Sequence, residues 1–211
     1  MAHEFLDLIE LVEVDDEADG KSVIARTFEL VGDRERLKLD LEIVAWHTGA
    51  RYARILECVK PFAWRFTDEP CDRALVSDDH PAVVEFRDRR ADLTFRGRVE
   101  DPSALANALR TVHHEYVGEY IDFGTVANEP LTELFAGDFG QIAAGPTSLL
   151  EKMGRVADSA GLSTTIQDCG PPVRYLENAE GGSWVEISTP PWAIDFGGGF
   201  VVAERFVVST G

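Results

Sequence analysis

The sequence predicts an α+β protein built mainly from antiparallel β-sheet, and two observations support this class. The first is a period of two in the apolar residues before Asp101-Pro102, clearest in residues 36–46, where mainly charged residues alternate with Leu37, Leu39, Leu41 and Ile43. Such alternation places one face of a strand in a core and the other in water. The second is the change to helical spacing that begins at Asp101-Pro102.

About seven short strands are predicted in the first hundred residues. Four of them cover residues 4–14, 21–30, 36–46 and 51–59. Because the turns between them are too short for crossovers, we expect an antiparallel meander. Residues 61–66 are expected to form a further short strand, and residues 81–97 a hairpin that turns at Asp88.

Two helices are predicted to pack against this sheet, near residues 102–121 and near residues 146–160. The first begins with Asp101 as its N-cap and Pro102 in the first helical position. Its apolar residues share one face, and Gly118 either weakens this helix or marks its end. The second helix begins after Gly145 and ends at Gly161, a residue type that favours helix ends.

The C-terminal part is predicted to add about four strands. Residues 124–145 are the best candidate for a boundary, with a short helix after Asn128. Two organisations fit this order. The chain forms either two units, residues 1–124 and 125–211, or a single domain in which the C-terminal strands extend one continuous sheet.

The chain is strongly acidic, with 38 Asp and Glu against 20 Lys and Arg and a net charge of −18. This charge repels phosphate backbones, so nucleic acid is not an expected partner. It attracts a basic protein, although acidic surfaces also serve solubility alone. No apolar run reaches about 18 residues, so no membrane partner is expected. The N-terminus carries acids where a secretory signal carries Lys or Arg, so the cytoplasm is the expected location.

Motifs for cofactors, metals and catalysis do not occur in the sequence. The three cysteines form no CxxC pair, and GxGxxG, GxxxxGK[ST] and GxSxG do not occur. Adjacent His113 and His114 point about 100° apart on a helix, so one is expected to face the sheet and the other water, with no shared metal. The sequence therefore predicts no cofactor and no catalytic residue, which favours a non-enzymatic protein and leaves an enzyme open.

Five aromatic residues are candidates for contact with a partner. Tyr116, Tyr120 and Phe123 lie in the most aromatic segment of the chain, near the end of the first predicted helix. Trp184 and Trp192 flank the extended segment STPP. Large aromatic side chains of this kind line interfaces, but each of the five also fits a place in the core.

Three arginines are candidates for binding an anion or an acidic partner. Arg87, Arg96 and Arg98 belong to the one basic cluster of the sequence, and on the predicted hairpin they share an exposed face. The simpler interpretation is cross-strand pairing with Glu85 and Asp92.

Charge and the lack of catalytic motifs favour a non-enzymatic acidic binding protein that captures a basic protein. An inhibitor of the immunity or antitoxin kind is one concrete form. The alternative is a small-molecule-binding protein or enzyme with a pocket between sheet and helix, built from His113, Tyr116 and Arg96. The sequence predicts neither the identity of a partner nor an oligomeric state.

Overall fold

A computed structural model describes residues 21–32, 35–46, 48–66, 74–178, 181–196 and 199–210. The strand predicted at residues 4–14 lies outside them. The described residues form mostly antiparallel sheet together with five helices, so the predicted α+β class is confirmed. The chain divides into two compact units: the first holds residues up to Val83, Glu177–Gly182 and Ser188–Gly211, and the second holds Val84–Leu176 and Ser183–Ile187.

The first unit contains a six-stranded sheet. Its strands are β1 Lys21–Val31, β2 Arg36–Ala45, β3 Arg51–Arg65, β4 Leu75–Ser77, β10 Trp192–Asp195 and β11 Phe200–Thr210. They lie in the order β1-β2-β3-β11-β10-β4, and every neighbouring pair is antiparallel. The two C-terminal strands therefore extend the N-terminal meander.

Strand β2 supplies the central apolar row of the first unit. Its residues Leu37, Leu39, Leu41 and Ile43 are all buried, which confirms the predicted alternation. They pair across to β3, where Leu56 lies opposite Leu39 and Cys58 opposite Leu37. The separate strand predicted at residues 61–66 is wrong, because β3 continues through Pro61 to Arg65. The described residues of the first hundred thus hold five strands instead of about seven.

The second unit contains a three-stranded antiparallel sheet in the order β6-β5-β7 and five helices. The strands are β5 Arg90–Arg96, β6 Phe139–Pro146 and β7 Ser163–Gly170; the helices are α1 Val84–Arg87, α2 Pro102–Val117, α3 Phe123–Val126, α4 Leu131–Leu134 and α5 Thr147–Ser159. A separate pair, β8 Val173–Asn178 and β9 Gly181–Glu186, forms a two-stranded sheet. Six strands therefore follow residue 100 among the described residues, against about four predicted.

The hairpin predicted at residues 81–97 is wrong in its first arm. Pro81–Val83 forms a 3₁₀ turn that leads into helix α1. Three consecutive residues, Ala82, Val83 and Val84, are buried, and a two-sided strand cannot bury neighbours that point to opposite faces unless both faces are covered. The second arm is correct and is strand β5.

Helices α2 and α5 confirm the two predicted helices. Asp101 caps α2 by accepting hydrogen bonds from the backbone N–H groups of Ser103 and Ala104, at 3.0 Å and 2.9 Å. The helix ends at Val117 instead of residue 121, because Gly118 adopts φ 58° and ψ −137°, a conformation open to glycine. Both helices bury an apolar stripe in the core of the second unit, built from Leu105, Leu109, Val117, Leu149, Leu150 and Met153.

The region expected to hold a boundary is an ordinary part of the second unit. Residues 124 and 125, on either side of the predicted division, both lie in helix α3. The short helix predicted after Asn128 is α4, and strand β6, which follows it, was not predicted. Within the described residues, no helix combines the length and apolarity needed to cross a membrane.

Candidate functional site

A cleft of about 500 Å³ lies in the second unit where helix α2 ends. One wall is the last two turns of α2, with Arg110, His113 and His114, and the other is the chain from Gly118 to Glu129. We call it the acidic cleft, because it is lined by the carboxylates of Glu119, Asp122 and Glu129 and by a single guanidinium, that of Arg110.

Local sequence explains how the cleft forms. Gly118 ends α2 and lets the chain turn, and Asp122 then caps α3 by accepting a hydrogen bond from the Gly124 N–H at 2.7 Å. This cap places Phe123 beside α2, where its ring meets the His113 ring edge-to-face at 5.2 Å between centroids. The guanidinium of Arg110 lies 5.4 Å from the centroid of the same Phe123 ring.

The residues that line the cleft include more carboxylates than Lys or Arg side chains. Arg110 forms an ion pair with Glu129, so its positive charge is already matched. The carboxylates of Glu119 and Asp122 leave the cleft with a formal charge of −2 when its histidines are neutral. An acidic concave surface of this kind raises the local concentration of cations.

His113 is the unusual side chain of the site. It is only 3% exposed, and its Nε2 atom is the buried side-chain nitrogen or oxygen in the described part of the chain that has no hydrogen-bond partner. Burial lowers the pKa of His113, the charge of Asp122 opposes that effect, and His114 adds to it. The imidazole is therefore neutral at pH 7, with one nitrogen unpaired. Buried polar atoms are nearly always paired, so this atom needs an explanation.

The two adjacent histidines behave as predicted from helix geometry, one being buried and the other exposed. Sequence reasoning did not select His113 as a site residue of the leading hypothesis. A signal for the burial of His113 was nevertheless present, because it shares one helical face with Leu105, Leu109 and Val117. The sequence did not predict that Phe123 packs against His113 and that both residues line one cleft.

A long segment of the second unit is acidic and exposed. Residues 111–151 contain no Lys or Arg, and their seven carboxylate side chains are all exposed: Glu115, Glu119, Asp122, Glu129, Glu133, Asp138 and Glu151. This segment belongs entirely to the second unit.

The three aromatic candidates near the end of α2 separate in the structure. Phe123 lines the cleft, and Tyr120 is half-buried just beyond α2. Tyr116 belongs to another polar group: its hydroxyl donates to Ser148 Oγ at 2.9 Å, and Ser148 in turn donates to Asp88. The Lys152 ammonium lies 4.5 Å from the centroid of the Tyr116 ring. Of the three side chains placed in one pocket by the alternative hypothesis, only His113 lines this cleft.

The two tryptophan candidates are exposed and lie in different units. Trp184 in β9 is 69% exposed and belongs to the second unit, whereas Trp192, at the start of β10, is 37% exposed and belongs to the first. Their exposure is compatible with contact to a partner, and that role stays a prediction.

The arginine candidates do not share a hairpin face, because the hairpin is not formed. Arg87 ends helix α1, Arg96 ends strand β5, and Arg98 follows in the next loop; all three are exposed. Arg87 contacts Asp88 at 3.5 Å. The neighbouring arginines also pair with acids, Arg89 with Asp168 at 2.6 Å and Arg90 with Glu85 at 4.0 Å.

A second buried histidine, His80, lies in the first unit. Its Nε2 is 3.4 Å from Asp195 Oδ2, and its Nδ1 accepts a hydrogen bond from the Ala82 N–H at 3.2 Å. Because Nδ1 is the acceptor, the neutral ring carries its proton on Nε2 and donates it to Asp195. Both ring nitrogens of His80 are therefore engaged by groups of the first unit.

Neither metal-site geometry nor similarity to known proteins assigns a function to the described residues. Among the described residues, no group of three or more His, Cys, Asp or Glu side chains has the arrangement of a metal site. No protein-family model, curated protein or solved structure matches the chain.

Proposed function

We propose that this protein is a non-enzymatic binding protein and that its second unit captures a basic protein partner. One observation carries the proposal: the seven carboxylates of residues 111–151 are all exposed and no Lys or Arg lies among them. An inhibitor of a basic enzyme, of the immunity or antitoxin kind, is a concrete form of this function.

Electrostatics supports such a role at the level of association. A surface of one sign steers an oppositely charged partner and can raise its association rate by orders of magnitude at low salt. Of the seven carboxylates, Glu129 is paired with Arg110, which lies just outside the segment. The segment 111–151 therefore carries a formal charge of −7 when its histidines are neutral, and the cation that pairs with Glu129 lies outside it.

Two groups of polar side chains resemble parts of a catalytic site, and their hydrogen bonds favour a structural role for them. Ser148 Oγ accepts a hydrogen bond from the Tyr116 hydroxyl and donates one to the Asp88 carboxylate, so it links helices α2 and α5 to the residue that follows α1. The His80 ring contacts Asp195 through Nε2 and accepts a hydrogen bond from the Ala82 N–H through Nδ1. These contacts support the non-enzymatic part of the proposal.

The proposal is tested with a fluorescent arginine-rich peptide, whose association rate is measured over a series of salt concentrations. We expect the rate to fall steeply as salt rises, because the Debye length shortens from about 30 Å at 0.01 M to about 10 Å at 0.1 M. A rate that does not depend on salt contradicts the proposal.

Two double variants separate local charge from total charge. Glu115→Lys with Glu133→Lys changes residues 111–151, and Glu29→Lys with Glu35→Lys makes the same change of net charge on exposed residues of the first unit. We expect the first pair to slow association at least tenfold more than the second. Equal slowing by both pairs would show that only net charge matters.

A further inference from the structure

We propose that a second copy of this chain docks on the solvent-exposed face of the sheet β6-β5-β7, so that two such sheets stack face to face around a two-fold axis. This inference goes beyond the proposed function, because the strands of this face carry none of the seven carboxylates of residues 111–151. The charged and the large side chains of the face are placed so that they match their own two-fold image.

The sheet β6-β5-β7 has one face in the core of the second unit and the other in solvent. Ala91, Leu93 and Phe95 of β5 are buried in that core with residues of α2 and α5. Alternate residues point the other way and form what we call the open face: Asp92, Thr94 and Arg96 of β5, Phe139, Gln141 and Ala144 of β6, and Ser163, Thr165 and Gln167 of β7. None of these side chains is fully buried, and Phe139, at 74%, has the highest exposed fraction of the large apolar residues in the described ranges.

The open face carries an acid, Asp92, and a base, Arg96, near opposite ends of its central strand. Within the described residues neither forms an ion pair, whereas Arg90, the next base on this face, contacts Glu85 at 4.0 Å. A two-fold axis that crosses β5 at Thr94 reverses the strand direction, so it places the base of each copy over the acid of the other. Stacked sheets lie about 10 Å apart, a distance that these two side chains span together.

Side-chain size on β6 follows the same symmetry. The large Phe139 lies next to the base of β5, and the small Ala144 lies next to the acid. The axis therefore sets Phe139 of one copy over Ala144 of the other, where the ring has room and loses its exposure to water. On β7 the axis sets Ser163 over Gln167, and these side chains are able to hydrogen-bond to each other.

Charge favours a second copy over another partner on this face. Each chain has a net charge of −18, so two copies repel one another in most orientations. The open face adds no net charge, because Asp92 and Arg96 cancel, and at about 0.15 M salt the Debye length is only about 8 Å. A partner of a single charge sign would satisfy one of these two residues and repel the other, whereas a second copy satisfies both twice.

The size of the open face predicts a weak dimer. Its three strands cover about 14 Å by 23 Å, or about 300 Å². A stable complex buries about 800 Å² on each partner. We therefore expect a dissociation constant on the order of 0.1 mM.

Sedimentation equilibrium of the 211-residue chain at about 0.15 M salt measures the dimer directly. We expect the weight-average mass to stay near the 23.3 kDa of one chain at about 10 µM and to approach twice that mass at about 1 mM. A chain that is still monomeric at about 1 mM overturns the inference.

Charge variants identify the surface. Arg96→Glu sets a carboxylate over Asp92 of the other copy and should weaken dimerisation by about tenfold or more. Arg98→Glu makes the same change of net charge in the loop that follows β5 and should change the dissociation constant by less than about twofold. Equal effects of the two substitutions would show that net charge controls association, and this result overturns the inference.

Exchanging both charges tests the two-fold arrangement itself. The double variant Asp92→Arg with Arg96→Glu keeps the net charge of the wild type and again sets opposite charges over each other, so it should recover the dimer that Arg96→Glu loses. A folded double variant that stays monomeric overturns the inference. Asp92 also accepts a hydrogen bond from Gln141 at 3.1 Å, and if the double variant does not fold, Phe139→Ala decides: it should weaken the dimer about tenfold, and an unchanged dimer overturns the inference.

Discussion

Replacing His113 with leucine should make the protein more stable, which is unusual for a buried position. Leaving a buried polar atom unpaired costs about 1–3 kcal/mol. Leucine removes Nε2 from the core of the second unit, and its different shape costs less than about 1.5 kcal/mol. The expected net gain in the free energy of unfolding at pH 8 is therefore about 1 kcal/mol.

The gain should increase in acid. Burial lowers the pKa of His113 in the folded state, whereas the unfolded chain has a histidine pKa of about 6.5. Between these two pKa values the unfolded state binds the extra proton. The wild type therefore has its full stability above about pH 6.5 and loses it as pH falls toward the folded pKa, by at most about 1.4 kcal/mol per pH unit. The leucine variant lacks this loss.

Urea unfolding followed by circular dichroism at pH 8 and at pH 5.5 measures both effects. The difference between wild type and variant isolates His113 from the other titrating groups. The matched control is His114→Leu at the exposed neighbouring position, which should change stability by less than about 0.5 kcal/mol. A variant less stable than wild type at pH 8 would show that Nε2 has a partner, and an unchanged pH dependence would show that His113 does not titrate as described.

Three further substitutions test the scaffold, each by urea unfolding. Asp101→Ala removes the cap of α2 and should cost about 1 kcal/mol, whereas Asp101→Asn should retain most of it; equal losses would contradict the capping role. His80→Ala removes a hydrogen-bond donor to the Asp195 carboxylate and should cost about 1–3 kcal/mol, and a loss below about 1 kcal/mol would mean that the pair contributes little. Gly140→Ala places a Cβ 2.6 Å from Leu134 Cδ1 and should cost about 1–2 kcal/mol; the loss should shrink in the double variant with Leu134→Ala, and an undiminished loss would exclude this clash.

Much of the first unit and both long helices could be predicted from the sequence. The alternation in residues 36–46 predicted β2 correctly because one face of a strand is buried wherever its neighbours lie. Asp101 and Pro102 predicted the start of α2 because capping involves only the adjacent backbone. These signals involve only neighbouring residues, so one amino-acid sequence is enough to detect them.

Other elements could not be predicted because their patterns were ambiguous over a short span. Residues 81–87 form a short apolar run that suits a strand or a helical turn, and burial of three consecutive residues decides for the turn. Strand β6 was hidden in a segment rich in glycine and alanine, FGQIAAGP. Its place beside β5 comes from pairing with residues about fifty positions away.

In the candidate site, too, some features follow from local sequence and others from long-range contacts. The helical period alone determines that one of His113 and His114 is buried and the other exposed, and the composition alone determines that residues 111–151 are acidic. Only the tertiary structure decides that Phe123 returns to cover His113, that Arg110 meets Glu129, and that His80 meets Asp195, which is 115 residues away. The physical reason is that burial and capping depend on near neighbours in the chain, whereas contacts between distant side chains depend on how the whole backbone closes on itself.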